Sequence, residues 1–238
     1  MTTSSRDSEL TPAYILHSRR YRDTSLLVDL FTLREGRISA IVRGGKKAGS
    51  NAIQIFTPLL ISYRGRGELK TTSKIEILGG SRLSGNNLFI GMYVNELLMR
   101  LLGKFEAMPE LFESYQGLLE TLSNESQIST QLRTFELLLL SELGYGITFD
   151  IEAGATQEIQ SHLFYRFVPN QGFYLLNHEA SNAYSGAHLL AMAAGEYGLP
   201  GIDTTAKRII RSSIDELMGG RVLKSRALFR QFSRQVLE

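Results

Sequence analysis

The first eighty residues contain short apolar segments that alternate in polarity and are separated by turns, and this pattern restricts the fold more than any other feature. Leu26, Val28 and Leu30 fall on one face of an extended chain, which is the period of two that a half-buried β-strand requires. Five such strands within about 65 residues fit a five-stranded Greek-key barrel of the OB type. An SH3-like barrel fits the pattern nearly as well. The predicted strands span residues 14–18, 25–32, 38–42, 58–63 and 69–78.

The rest of the chain has mainly helical periodicity, with apolar residues spaced by three and four. Pro109 is suited to open one helix, Ser129 to cap another, and Asp203 to cap a third. The predicted helices span residues 87–102, 128–143, 203–218 and 224–235, with others starting near residues 109 and 185.

The helical period is lost between residues 149 and 177. Two short apolar segments there, 163–168 and 173–176, flank a turn and predict a β-hairpin. The fold class is therefore α+β: we expect an OB-fold barrel domain at residues 1–80, followed by a mostly helical domain at 81–238 that contains this insertion.

Composition excludes several classes of protein. Apolar residues make up 43% of the chain and charged residues 21%, which is ordinary for a globular protein and excludes general disorder. The sequence has no cysteine, so disulfides, thiolate metal sites and a cysteine nucleophile are excluded. The first residues lack the apolar stretch of a signal peptide, and no apolar segment approaches the roughly 18 residues of a membrane span. We expect a soluble, cytoplasmic protein.

Charge is distributed unevenly along the chain. Residues 1–80 carry 13 Lys and Arg against 7 Asp and Glu, residues 81–160 carry 4 against 11, and residues 161–238 carry 9 against 6. No acidic residue occurs between residues 36 and 67 or between residues 221 and 237, although both stretches are rich in cations. Unpaired cations favour a nucleic acid, because binding to its backbone releases condensed counterions. Chance variation between surfaces is the alternative.

The cations of the predicted barrel and a neighbouring tyrosine form the first set of candidate DNA contacts. Barrels that bind single strands follow the backbone with cations and stack bases on exposed aromatic rings. Tyr21 and Tyr63 are the candidate rings, and a place in the barrel core is the alternative for each; Phe31 and Phe56 are expected in the core. The candidate DNA-binding residues of this set are Arg19, Arg20, Tyr21, Arg37, Arg43, Lys46, Lys47, Arg64 and Arg66.

The second set of candidate DNA contacts lies on the last two predicted helices, where cations recur on one face of each helix. Apolar residues such as Ile210 and Phe232 fall on the opposite faces. A solvated face is the alternative interpretation of both stripes. The residues are Lys207, Arg208 and Arg211 on the first of these helices and Lys224, Arg226, Arg230 and Arg234 on the second.

The sequence contains no recognisable pattern of catalytic residues. The four histidines have no metal-ligand spacing, and no nucleophile-elbow motif occurs. Residues 44–47 superficially resemble a phosphate-binding loop, but Ala40 stands where that loop needs its first glycine, and Lys46 is followed by lysine. We therefore expect a binding protein without catalysis or cofactor. One alternative is an enzyme that modifies nucleic acid and uses the barrel as its substrate domain. Another is a barrel-containing scaffold that uses its basic faces only on protein partners.

A series of short motifs, in order along nearly the whole chain, resembles the bacterial recombination protein O (RecO) family of DNA repair proteins. Each motif alone is unspecific, whereas the series is not. The motifs are AYILHSR at 13–19, FTPLL at 56–60, RGRGELK at 64–70, YVNELL at 93–98, FEL at 135–137, LGY at 143–145 and LKSR at 223–226.

The resemblance implies an N-terminal OB fold followed by a helical domain with a small insertion. It implies binding of single- and double-stranded DNA and annealing of complementary strands without nucleotide hydrolysis. It also implies binding to the acidic C-terminal tail of the single-strand-binding protein SSB and, with RecR, loading of the recombinase RecA onto SSB-coated DNA. Many members hold zinc through four cysteines in the insertion, but this chain has none, so no metal is expected and packing must hold the hairpin.

An acidic tail that ends in an apolar side chain and a free carboxylate requires an apolar pocket with a cation at its rim. Arg133 is the single base between residues 106 and 158 and lies on an otherwise apolar predicted helix, which suggests that it binds the carboxylate. An ion pair with Glu136, three residues along the helix, is the alternative. The predicted SSB-tail pocket consists of Leu111, Phe112, Leu132 and Arg133.

Overall fold

The computed structural model describes residues 9–44, 54–79, 83–124, 127–154, 157–178 and 180–235, with the side chains of residues 230 and 232–235 left aside. The chain forms two compact units, one of residues Met1–Ser126 with Leu223–Glu238 and one of residues Gln127–Val222. In chain order the barrel strands are β1 (Thr11–Tyr21), β2 (Ser25–Thr32), β3 (Gly36–Val42), β4 (Pro58–Arg64) and β5 (Leu69–Ile77). The helices are α1 (Gly85–Leu101), α2 (Pro109–Asn124), α3 (Ile128–Glu142), α4 (Gly186–Ala193), α5 (Ile202–Leu217) and α6 (Lys224–Gln235).

The five N-terminal strands form a closed barrel in the order β1-β2-β3-β5-β4, with β1 and β4 paired. β3 and β5 run parallel, whereas the other barrel pairs are antiparallel. This connectivity is the Greek key of the OB fold. It therefore excludes the SH3-like barrel, which the strand pattern alone had left as an alternative. The interior is apolar: Ile15, Val28, Leu30, Ile38 and Ile61 are almost completely buried. The alternating pattern seen in the sequence is thus the inward and outward alternation of barrel strands.

In the first unit, α1 and α2 belong with the barrel, although the sequence-based division at residue 80 separates them from it. Asn95 on α1 donates a hydrogen bond of 2.9 Å to the carbonyl of Leu16 on β1, and the hydroxyl of Tyr115 on α2 donates to Asn95 at 2.7 Å. The rings of Tyr14 and Phe31 pack against Tyr115 and Phe112. These contacts join two helices to the first two strands through a satisfied polar group and an aromatic cluster.

The second unit contains α3, α4, α5 and a three-stranded sheet. The strands are β6 (Phe164–Val168), β7 (Gly172–Leu175) and β8 (Tyr184–Ser185), in the order β7-β6-β8. The predicted hairpin is therefore confirmed, and β8 is an additional short strand. Two predicted helix caps are wrong. Gly201 rather than Asp203 precedes α5, and Gln127 rather than Ser129 precedes α3, because Ser129 instead hydrogen-bonds to Asp203.

Aromatic packing holds the insertion together. The ring of Phe173 lies 5.7 Å from that of Phe149 and 4.9 Å from that of Phe167, and Phe173 and Tyr165 are fully buried. The Tyr165 hydroxyl accepts a hydrogen bond of 2.8 Å from the backbone N–H of Gln160. Large rings contribute substantial buried area, so they supply a core for this small sheet. Among the described residues, no three His, Asp or Glu side chains are placed to share a metal ion.

Candidate nucleic-acid interface

Cations cluster at the end of the β1–β2 hairpin. Arg19 pairs with Leu27 and Arg20 with Leu26 across the hairpin, and both arginines are exposed. The guanidinium of Arg22 lies over the half-buried ring of Tyr21, 5.3 Å from its centroid. An aromatic ring with cations around it is the arrangement that single-strand-binding barrels use, so the structure keeps Tyr21 as a candidate stacking residue.

One row of paired residues crosses all five strands of the barrel: Arg19, Leu27, Ile41, Thr71 and Arg64 are successive partners. The middle three are partly exposed, whereas Val28, Ala40 and Val42, their neighbours along the strands, lie in the core. The row therefore faces outward. It has an exposed arginine at each end and no acidic side chain, so its two arginines are available to phosphates.

The remaining barrel cations fall into three groups. Arg43 and Arg66 are exposed, and Arg43 directly follows β3. Lys46 and Lys47 lie outside the described residues. Arg37 is different: its guanidinium donates a hydrogen bond of 3.0 Å to the carbonyl of Met99 in the last turn of α1, where the helix dipole favours a cation. Arg37 thus contributes to packing within the first unit rather than to the exposed cationic surface.

Tyr63 is not available for stacking, because only 5% of its surface is exposed and it belongs to the barrel core. Burial raises the pKa of its hydroxyl well above the ordinary range, and the nearby Glu35 carboxylate raises it further. Phe31 and Phe56 are buried as expected. The expectation of an exposed Tyr63 ring is therefore wrong, and the alternative of a core position with a polar hydroxyl is correct.

The cationic stripe of α5 is exposed in the second unit. Lys207, Arg208 and Arg211 face solvent, while Ala206, Ile210 and Ile214 on the opposite face are completely buried. The guanidinium of Arg208 lies 4.8 Å from the centroid of the Tyr184 ring on β8. This stacking restrains a long side chain and leaves its remaining N–H groups available to an anion.

The N-terminus of α6 is bound by a carboxylate from α1. Glu96 accepts hydrogen bonds from the backbone N–H groups of Lys224 and Ser225, at 3.0 and 2.8 Å, and from the Ser225 hydroxyl at 2.7 Å. Glu96 also pairs with Arg100, as the four-residue spacing predicts. Arg226 stacks over the Tyr93 ring at 5.4 Å and is half-buried, whereas Lys224 is exposed. The side chains of Arg230 and Arg234 lie outside the described ones, so their part of the stripe stays a prediction.

The four residues of the predicted SSB-tail pocket are all buried. Leu111 and Phe112 belong to the first unit, where Phe112 packs on Tyr14 and Phe31. Leu132 and Arg133 belong to the second unit, and the Arg133 guanidinium forms the alternative ion pair with Glu136. The Nε of Arg133 has no hydrogen-bond partner among the described residues and lies 3.8 Å from a carboxylate oxygen of Asp203.

Sequence reasoning missed one candidate residue of this interface, Phe105. It lies between α1 and α2 but reaches β5, where the ammonium of Lys70 sits over its ring at 4.9 Å. Because 35 residues separate Lys70 from Phe105, no local pattern connects them. Among the described helices, none has the length and apolar character that crossing a membrane requires.

Comparison with known proteins agrees with this architecture. A family model described as the N-terminal part of recombination protein O matches residues 7–80, and one described as its C-terminal part matches residues 82–227. A DNA repair protein RecO from Methylococcus capsulatus is 44% identical over 94% of both chains. The RecO proteins of Stutzerimonas stutzeri, 42% identical over 92% of both chains, and of Salmonella paratyphi B, 40% identical over 92% of this chain and 93% of its relative, are also similar. The chain therefore belongs to the RecO family of DNA repair proteins.

Proposed function

We propose that this protein is a recombination mediator that binds single- and double-stranded DNA and anneals complementary strands without catalysing a covalent change. The observation that carries the proposal is the outward-facing barrel row with exposed Arg19 and Arg64 at its ends and no carboxylate within it. Family membership supports a role in repair and recombination.

Annealing requires two phosphate backbones to approach each other despite their repulsion. Cations on the protein screen that repulsion, and each phosphate they neutralise releases counterions. We assign binding of the first DNA strand to the barrel domain, at residues 1–80. The exposed stripes of α5 and α6 are candidates for further phosphate contacts, whether with the same DNA or with a second strand.

The proposal is tested by titrating a fluorescent oligonucleotide with the protein at several salt concentrations. If the barrel engages about six phosphates, the logarithm of the binding constant should fall with a slope of roughly −4 against log salt. Reversing Lys46 and Lys47 to glutamate should flatten this slope, and an unchanged slope would remove their loop from the site. The Arg37→Gln variant is the matched control, because Arg37 is engaged with α1 and should not alter the slope.

A strand-annealing assay distinguishes a recombination mediator from an enzyme that modifies nucleic acid. With labelled complementary oligonucleotides and magnesium, we expect faster formation of intact duplex. Cleaved or otherwise modified strands would instead indicate the alternative, an enzyme that acts on nucleic acid. Comparing bare with SSB-coated strands tests at the same time whether the protein acts on the SSB complex.

We further propose that Arg133 receives the terminal carboxylate of the SSB tail. The Nε of this buried guanidinium supports the assignment, since it has no hydrogen-bond partner among the described residues, and a tail carboxylate would replace its 3.8 Å ion pair with Asp203. Truncating Arg133 alone would remove the ion-pair partner of the buried Glu136 carboxylate, so the Arg133→Met variant is best combined with Glu136→Gln. We expect the double variant to fold and to lose affinity for an SSB-tail peptide at least tenfold, about 1.4 kcal/mol. Unaltered affinity would refute the assignment, and the Glu136→Gln single variant is the control.

The remaining partners follow from the family. We propose that the protein acts with RecR to load RecA onto DNA coated with SSB, in the cytoplasm and at the nucleoid. Pull-down of RecR by the full-length protein, with and without SSB, tests the first of these interactions. Failure to retain RecR under either condition would contradict it.

A further inference from the structure

Phe105 has an unusual backbone conformation for a bulky residue. Its φ of +62° lies in the left-handed region, which L-residues with large side chains rarely adopt and which costs free energy. Burial of the side chain does not explain this conformation, since 38% of the surface of Phe105 remains exposed. Backbone strain combined with an exposed ring is a reason to look for a ligand.

The backbone around Phe105 is held by the first two residues of β3. The N–H of Phe105 donates a hydrogen bond of 3.0 Å to the carbonyl of Arg37. The backbones of Lys104 and Arg37 also form an isolated parallel β-bridge. The carbonyl of Glu106 lies so close to Gly36 that a Cβ built there would approach it to 1.7 Å. The segment of residues 104–106 therefore packs directly against the backbone of the barrel. The positive φ of Phe105 turns the chain so that the carbonyl of Glu106 reaches this contact.

Phe105 lies close to cations, although the exposed Glu106 directly follows it in the chain. The ammonium of Lys70 lies over its ring at 4.9 Å and also donates a hydrogen bond of 3.0 Å to the carbonyl of Gly65 in the β4–β5 turn. Arg64 at the end of β4 and Arg66 in that turn are exposed, and neither has an ion-pair partner among the described residues. Glu68 pairs with Lys104 at 3.2 Å, but its side chain is 81% exposed, so this pair is weak and a phosphate can replace it.

We propose that Phe105 stacks against a base of single-stranded nucleic acid, with Arg64 and Arg66 on the adjacent phosphates. The β4–β5 turn is one of the loops through which OB folds contact oligonucleotides, and exposed rings in such barrels stack bases regardless of sequence. The surrounding cations favour a polyanion over an apolar peptide as the occupant. This inference rests on the proposed function, because it requires that the barrel binds DNA.

The test compares the binding of fluorescent oligo(dT) and of an abasic strand of the same length by fluorescence anisotropy. Phe105→Ala should weaken binding to oligo(dT) about tenfold and leave binding to the abasic strand unchanged, because the abasic strand has phosphates but no base to stack. Phe105→Tyr should retain the wild-type affinity. Tyr145→Ala, which removes another exposed ring from the second unit, is the matched control and should have no effect.

Phe105→Gly distinguishes stacking from a purely structural role. Glycine adopts a positive φ without strain, so this variant should unfold at the same temperature as the wild type or higher while binding oligo(dT) as weakly as Phe105→Ala. Equal losses on the two strands, or wild-type affinity of both variants for oligo(dT), would overturn the inference. The proposed function itself would fail only if the wild-type protein did not bind oligo(dT).

Discussion

Gly36 lies where two parts of the first unit approach each other closely. It has a φ of +64°, and the carbonyl of Glu106 occupies the space that a side chain would need. Gly44 has a similar φ of +68° but no atom within 4 Å of the position of a Cβ. Substituting each of the two glycines therefore distinguishes the free-energy cost of a left-handed backbone from the cost of a steric clash.

We predict that Gly36→Ala lowers the free energy of unfolding by at least about 2 kcal/mol, because backbone atoms that cannot rotate away must shift. Gly44→Ala should cost only about 1 kcal/mol, the penalty of a left-handed alanine. Thermal denaturation of both variants against the wild type measures the difference. Equal effects would mean that the segment after α1 does not pack against the start of β3.

At the scale of elements, the N-terminus of α6 is bound by one carboxylate, that of Glu96. Burial by itself raises the pKa of Glu96, but the hydrogen bonds from Ser225 and Lys224, together with Arg100, outweigh it and hold the pKa below its usual value of 4.5. The charged form is thus bound more strongly in the folded protein than in the unfolded chain. Its stabilising contribution is complete above pH 4.5 and is lost as the pH falls through the lower, folded pKa.

We predict that Glu96→Gln weakens the docking of α6 by about 1 to 2 kcal/mol, because charge-assisted hydrogen bonds to the helix N-terminus become neutral ones. Lower protection factors of the α6 amides against hydrogen exchange at neutral pH would show this, and the wild-type protection factors should approach those of the variant on acidification. Glu113→Gln, at an exposed position of α2, serves as the control. Unchanged exchange in Glu96→Gln would mean that apolar contacts alone hold the helix.

At the scale of the whole molecule, the two compact units have different sources of stability. The first has a closed barrel core and the aromatic contacts of α1 and α2, whereas the second includes a small sheet built on Phe173. Units with separate cores unfold as separate cooperative blocks when few contacts couple them.

We predict that Phe173→Ala lowers the stability of the second unit by about 3 to 5 kcal/mol and leaves the barrel intact. Calorimetry should then resolve a lower transition for this unit. Leu175→Ala, an exposed position on the same strand, should have little effect. A chelator should not move either transition of the wild type; a shift on adding EDTA would contradict a core held by aromatic packing.

The sequence by itself determined the elements and the family. Strand alternation located the barrel strands to within a few residues, the hairpin of β6 and β7 was predicted from its turn, and α6 was predicted with its observed bounds. These features are local, because the period of side-chain burial follows from the geometry of a single strand or helix. The cations exposed on α5 and in the β4–β5 turn were predicted for the same reason.

Only the tertiary structure decided which of these side chains are available. Tyr63 lies in the barrel core, Arg37 donates a hydrogen bond to the end of α1, and Phe105 contacts Lys70 on β5 from outside the predicted barrel domain. Each outcome depends on partners that are distant in sequence, and the choice between burial and exposure is made by packing between elements. The positions of the charged residues on each strand or helix therefore follow from local sequence. Which of them share an exposed surface depends on how the barrel closes and how the helices pack.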